Sequence, residues 1–199
     1  ARWLMALYFV ERTYAIFTSQ DLLHWELLQK FDLPGDDECP DLYPLTADDG
    51  RTLWVYSGAH DMYFVGDFDE NGLYQPIQSV GQLSYNSQSY AAQTYYYEPG
   101  KPVIRFAWNR SDIPGAPFNG SMCTPTEMTL KKHGDRYYLS ALPIESTENL
   151  VVKSDKLDDF TLTHCTHELG SKTCRISFTV KEGGLTFSLY GLEMKLDKN

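Results

Sequence analysis

No stretch of this sequence approaches the about 20 consecutive apolar residues that a membrane-spanning helix needs. Its first residues, ARWLMALYFV, lack the basic, then apolar, then small-residue order of a secretory leader, so the chain reads as soluble. Positive charge is scarce: 17 Lys and Arg stand against 27 Asp and Glu, a net charge of -10. Such a surface repels a phosphate backbone or an anionic membrane, and neither nucleic acid nor membrane is expected as a partner. Cysteine is sparse as well; four scattered residues cannot make a disulfide framework that replaces a core. There is no glycine-rich loop to cradle phosphate and no nucleophile elbow from which a Ser-His-Asp site could start. The stretch HCTHELGSKTC gathers His164, Cys165, His167 and Cys174. Its spacing matches no common structural zinc pattern, and on a strand His164 and Cys165 point to opposite faces. A surface hairpin with a Cys165–Cys174 disulfide is the preferred reading, with no metal and no cofactor expected.

What the sequence does have is aromatic side chains, 14% of the whole, in short runs such as TLWVYSGAH, MYFVGDF, YAAQTYYY and PVIRFAW. The runs are rich in β-branched and aromatic residues and are bounded by turn formers, DDG, DENG, EPGKP and KEGG, which predicts an all-β chain. One segment, SQDLLHWELLQKF, places Leu22, Leu23, Leu27 and Leu28 loosely on a helical face, and a bend followed by a strand fits it as well. Strand sets near residues 10, 55 and 100 recur at about the length of a four-stranded propeller blade. Later, FTLTHCTHE, TCRISFTVKE and LTFSLYGLEMKL alternate apolar and polar positions as sandwich strands do. The expectation is therefore a partial five-bladed β-propeller over residues 1–155 and the start of a β-sandwich over 156–199, with the boundary between Ser154 and Asp159. The pair His60 and Asp61 in GAHDM reads as turn chemistry.

Taken in order, FTSQDLLHWE, ECPDLYPL, YAAQTYYY, RFAWNR, GSMCTPTEMTLKK and LPIESTENL resemble glycoside hydrolase family 32, the β-fructosidases that include invertases, levanases and inulinases. The resemblance runs from about residue 2 to residue 150. It implies the same propeller-plus-sandwich fold and a fructoside substrate, which favours an extracellular or periplasmic place. It also implies that Glu38, in Glu38-Cys39-Pro40, is the general acid/base. Glycoside hydrolysis needs one carboxyl held protonated for the leaving oxygen and a second held ionised on the other side of the sugar. The neighbours Asp36, Asp37 and Asp41 would disfavour ionisation of a carboxyl among them, and Pro40 would fix its aim. A sugar-sized hollow at the propeller axis is expected beneath it. Cys39, Asp41, Tyr90 and Gln93 are the expected substrate-side residues.

The resemblance also exposes departures. The family's nucleophile stands in an Asn-Asp-Pro-Gly-like motif and a second aspartate in Arg-Asp-Pro; neither motif occurs here, and both would lie before Ala1. The expected chain is thus one without the opening blade, unable alone to run a double displacement. Gln88 stands where an acidic residue is usual, and Phe118-Asn119-Gly120 replaces a tryptophan before GSM. The alternatives to an enzyme are a glycan-holding propeller without catalysis and a structural module that self-associates through its open sheet edges.

Overall fold

A computed structural model describes residues 2–95, 98–156, 166–168, 174–189 and 191–196. The chain forms two compact units, Ala1–Lys153 and Ser154–Asn199. Among the described residues no helix is long and apolar enough to cross a membrane.

The first unit carries three antiparallel sheets. In the first, β1 (Trp3–Val10), β2 (Thr13–Ser19) and β3 (Glu26–Asp32) pair in chain order. The second runs β4 (Asp41–Thr46), β5 (Thr52–Ser57), β6 (Met62–Phe68) and β7 (Tyr74–Pro76), with the short β8 (Gly81–Gln82) also on β6. The third pairs β9 (Ser89–Thr94), β10 (Val103–Asn109), β12 (Thr126–His133) and β13 (Arg136–Pro143), with β11 (Ser121–Met122) on β10. Up-and-down meanders of this size are propeller blades.

The ambiguous leucine-rich segment resolves as a bend followed by β3. Ser19 Oγ accepts the amide of Leu22, and Asp21 Oδ1 those of Leu23 and His24, so side-chain oxygens take the donors a helix would have used.

Both faces of the second sheet are covered. Leu53, Val55, Tyr63 and Val65 pack with Val103, Met128, Leu130 and Tyr137 of the third sheet. Their strand neighbours Trp54, Tyr56, Phe64 and Phe68 turn the other way, onto Tyr14, Ile16 and Phe31 of the first. Phe31 and Tyr56 meet edge-on at 4.7 Å between ring centroids. A strand buried on both sides reads as a nearly unbroken apolar run, which is why TLWVYS and MYFVGDF show so little alternation.

The outer strands are joined by glutamines that imitate a strand. Gln29 donates to Tyr74 O at 2.9 Å and accepts from Tyr74 N at 2.8 Å. Gln78 does the same for Tyr137, at 2.7 and 2.8 Å. One primary amide thereby satisfies both backbone groups of an edge residue, first between sheets one and two and then between two and three.

In the second unit β14 (Leu185–Leu189) pairs antiparallel with β15 (Leu192–Leu196). Of the three segments expected to be sandwich strands, LTFSLYGLEMKL forms this ladder, whereas residues 174–181 of TCRISFTVKE adopt no strand. Most of FTLTHCTHE, with His164 and Cys165, lies outside the described residues, as does Asp159. The zinc and disulfide readings of that segment rest on those positions.

Candidate active site

The acidic stretch between β3 and β4 is a strained loop rather than a simple solvated turn. Glu38 and Cys39 are both left-handed, with φ of 57° and 39°. Neither is glycine, so each costs about 1–3 kcal/mol, and such a conformation persists only where its surroundings over-determine it.

Asp36 is the anchor. The residue is 2% exposed, and its carboxylate accepts backbone amides from Asp37 at 2.8 Å, His60 at 2.9 Å and Met62 at 2.9 Å. Burial pushes its carboxyl above the usual carboxylate range while those donors pull it back. Ala59 N donates to Asp37 O and Glu38 O at 3.4 and 3.3 Å, and Tyr14 Oη donates to Glu38 O at 3.0 Å. Gly58 makes the approach possible: a Cβ there would meet Asp36 Cγ and Tyr14 Oη, both at 2.5 Å.

The loop delivers the Glu38 carboxylate to Tyr90 on β9, whose Oη donates to Glu38 Oε2 at 2.6 Å. That bond is the largest cause of the upward shift of the Tyr90 phenol, ahead of burial and the Glu38 charge. The Tyr90 ring is clamped on several sides. The Arg110 guanidinium lies over its face at 4.2 Å, His60 meets it edge-on at 4.9 Å, and Trp108 at 6.4 Å. Trp108 in turn closes on Gly120, where a side chain would collide with the indole nitrogen.

The remaining residues singled out from sequence gather around the same loop. Gln93 Nε2 donates to the carbonyls of Cys39 at 3.1 Å and Pro40 at 3.2 Å. Asp41 Oδ2 accepts Thr94 N at 2.5 Å, and burial raises its carboxyl. Burial first, then the Glu38 charge, raises the Cys39 thiol, which keeps it protonated and unreactive. Two of the three aspartates flanking Glu38 thus turn their oxygens into amide donors rather than toward it. Gln88 is exposed and its carbonyl accepts Arg110 N at 2.9 Å.

Glu38 itself is exposed. It lines neither the void of about 10 Å3 between the second and third sheets nor a cleft of about 310 Å3 bordered by Tyr63, Tyr85 and Tyr138. The hollow expected beneath it is not one of these two. Glu38 stands in the loop that enters β4 and faces Tyr90 on β9, the first strands of the second and third sheets.

The sequence reading takes Asp36 only as a charge beside Glu38 and His60 as turn chemistry, and it does not single out Arg110. Asp36, Asp37 and His60 bring metal-ligand atom types within 4.8 Å of one another. Asp36 is already filled by amide donors, and His60 Nδ1 lies 3.2 Å from Asp36 and 3.3 Å from Asp37, which makes the group a hydrogen-bonded support.

Comparison with known proteins bears on the family and the fold. A Streptococcus mutans fructan β-fructosidase is 28% identical over 162 residues, covering 68% of this chain and 11% of its own length. A levanbiose-producing levanase of Bacillus subtilis is 27% identical, covering 81% of this chain and 34% of its own. The crystal structure of an Aspergillus awamori exo-inulinase superposes with a TM-score of 0.64 and 25% identity, over 74% of this chain and 34% of that one. The chain therefore spans only about a tenth to a third of the length of these proteins. The solved relatives are five-bladed β-propeller enzymes. Residues 1–141 match the glycosyl hydrolases family 32 N-terminal domain, and the chain belongs to that family.

Proposed function

We propose that this chain carries the acid/base half of a retaining β-fructoside hydrolase acting on sucrose-, levan- or inulin-like linkages. The observation that carries the reading is the Tyr90–Glu38 contact at 2.6 Å, made where the inner strands of two blades meet. With Tyr90 donating to Oε2, the proton that Glu38 delivers rides on Oε1. Glu38 first protonates the leaving oxygen; the resulting carboxylate then takes a proton from the water that opens the fructosyl-enzyme intermediate. The nucleophilic aspartate comes from outside these 199 residues. Tyr90 holds the Glu38 carboxylate, while Gln93, Cys39 and Asp41 hold the loop that aims it. The domain assignment belongs to the same proposal: propeller blades over 1–155 and a β-sandwich segment over 156–199.

In the polypeptide that supplies both carboxylates, Glu38→Gln lowers turnover on levan or sucrose by about 100-fold to 10,000-fold with the fold intact. Unchanged turnover removes Glu38 from the role. A reading frame before Ala1 that encodes no aspartate motif leaves the non-catalytic glycan-binding alternative in place.

Self-association of the isolated chain is favoured by one observation. Trp3, Leu7 and Phe9 alternate along β1 onto the face away from the core and are 46%, 37% and 50% exposed, with Leu27 of β3 at 50% on the same face across β2. An apolar face of this kind on a sheet with an open edge draws a second sheet onto it.

A further inference from the structure

We propose that the cleft of about 310 Å3 between the second and third sheets is an accessory site for a neutral saccharide unit of a fructan chain. The choice of fructan rests on the reading above; the cleft itself is separate from Glu38. Its volume falls at the lower end of small-ligand sites, enough for one sugar ring.

The chemistry of its lining selects the ligand. Tyr85 and Tyr138 border it and are 86% and 43% exposed; the Arg136 guanidinium lies over the Tyr138 ring at 6.0 Å, which leaves Tyr85 as the freer aromatic surface. A tyrosine face carries partial negative charge and attracts the C–H side of a sugar ring, while the phenol stays available for hydrogen bonding. Gln82 and Arg136 line the same cleft. Each is steadied by a backbone carbonyl: Gln82 Nε2 donates to Ser84 O at 2.9 Å, and Arg136 Nη2 to Ser79 O at 3.4 Å. The amide and the guanidinium together present both acceptor and donors to hydroxyls. No carboxylate lines the cleft, which does not suit a cation; a single guanidinium beside an amide and two phenols suits an uncharged polyol.

The floor is preformed. Tyr63 is 3% exposed and its Oη accepts Leu139 N at 3.2 Å, which fixes the ring. Gly81 lies against that ring, where any side chain would collide with it. The loop that follows the cleft, from Leu83 to Gln88, is pinned by Leu83 N donating to Asp61 O at 2.9 Å and leads into β9, which carries Tyr90. One continuous segment thus joins the cleft to the strand that holds the acid/base residue. A long fructan would be gripped there while its end is processed elsewhere.

The test is affinity electrophoresis of this chain in gels containing levan, inulin or dextran, with the double variant Tyr85→Ala, Tyr138→Ala and, separately, Tyr85→Ala alone. Tyr85 is so exposed that its loss leaves the fold unchanged, which near-ultraviolet circular dichroism checks. The expected result is retardation by levan or inulin but not by dextran, weakened at least fivefold in the double variant, measurably in the single one, and unaffected by Glu38→Gln. Retardation that survives both variants overturns the proposal, as does a wild-type chain that no fructan retards. Either failure leaves the catalytic reading standing, since that one is decided by the turnover of Glu38→Gln.

Discussion

Arg105 Nη2 donates to both carboxylate oxygens of Asp61, at 2.5 and 2.6 Å, across the boundary between the second and third sheets. The two side chains are 11% and 4% exposed, and Ser89 Oγ accepts from the same nitrogen at 3.1 Å. Asp61 follows His60 in the β5–β6 turn and Ser89 opens β9, so the pair fixes the relative height of the strands that bring Glu38 and Tyr90 together. Asp61→Ala strands a buried guanidinium and is expected to cost about 3–5 kcal/mol in urea denaturation. Replacing both partners by leucine and methionine costs less than the sum of the single changes; strict additivity would show that the two are not coupled.

Gly58→Ala puts a methyl group into Asp36 and the Tyr14 hydroxyl at once. The expected loss is about 1–3 kcal/mol of stability, read from the thermal midpoint. A midpoint at the wild-type value would mean that the loop yields freely and that the strain at Glu38 and Cys39 is not held from this side.

Tyr90→Phe removes one hydroxyl and leaves the clamped ring in place. In the polypeptide with both carboxylates, kcat falls about 10-fold with little change in KM, the scale of a hydrogen bond to a charged group. A change confined to KM would place Tyr90 on the substrate rather than on Glu38.

Acid should loosen the contact between the second and third sheets at Asp49. Its carboxyl is held below the usual carboxylate range by the Arg51 amide first, then by Lys132 and Tyr137 of the neighbouring hairpin, whose Nζ and Oη lie 3.1 and 2.9 Å from its Oδ2. A group depressed in the folded state binds fewer protons there than when unfolded. Its contribution is present above about pH 4 and lost as pH falls through the folded value. Stability measured against pH should decline on that acid limb, and Asp49→Asn should lower the plateau and flatten the decline. An unaltered acid limb in that variant would assign the decline to other carboxylates.

The exposed face of β1 gives a concentration-dependent prediction. Sedimentation of the isolated chain should show association at micromolar concentrations, reduced by Leu7→Lys and Phe9→Lys. A stable monomer throughout would remove self-association from the proposal.

Much of the strand order was readable before any coordinates. Strand length, turn chemistry and aromatic runs are local properties, so β5, β6, β9 and β10 fall where TLWVYS, MYFVGDF, YAAQT and PVIRFAW place them. The leucine-rich segment was ambiguous because Ser19 and Asp21 decide it by capturing amides, which a hydrophobic pattern does not register. Residues 174–181 alternate like a strand yet adopt none, since alternation states which face would be buried and cannot supply a partner to bury it.

Composition, charge and the Glu38-Cys39-Pro40 motif settled the all-β class and the carboxylate worth examining, because those features are carried by neighbouring residues. What only the tertiary structure decided is how that carboxylate is held. The buried Asp36 reaches His60, Glu38 reaches Tyr90, and Arg105 reaches Asp61, each across 24 to 52 residues of chain. A left-handed glutamate is stable only when such distant donors converge on its loop, and convergence is a property of packed sheets, not of any one segment.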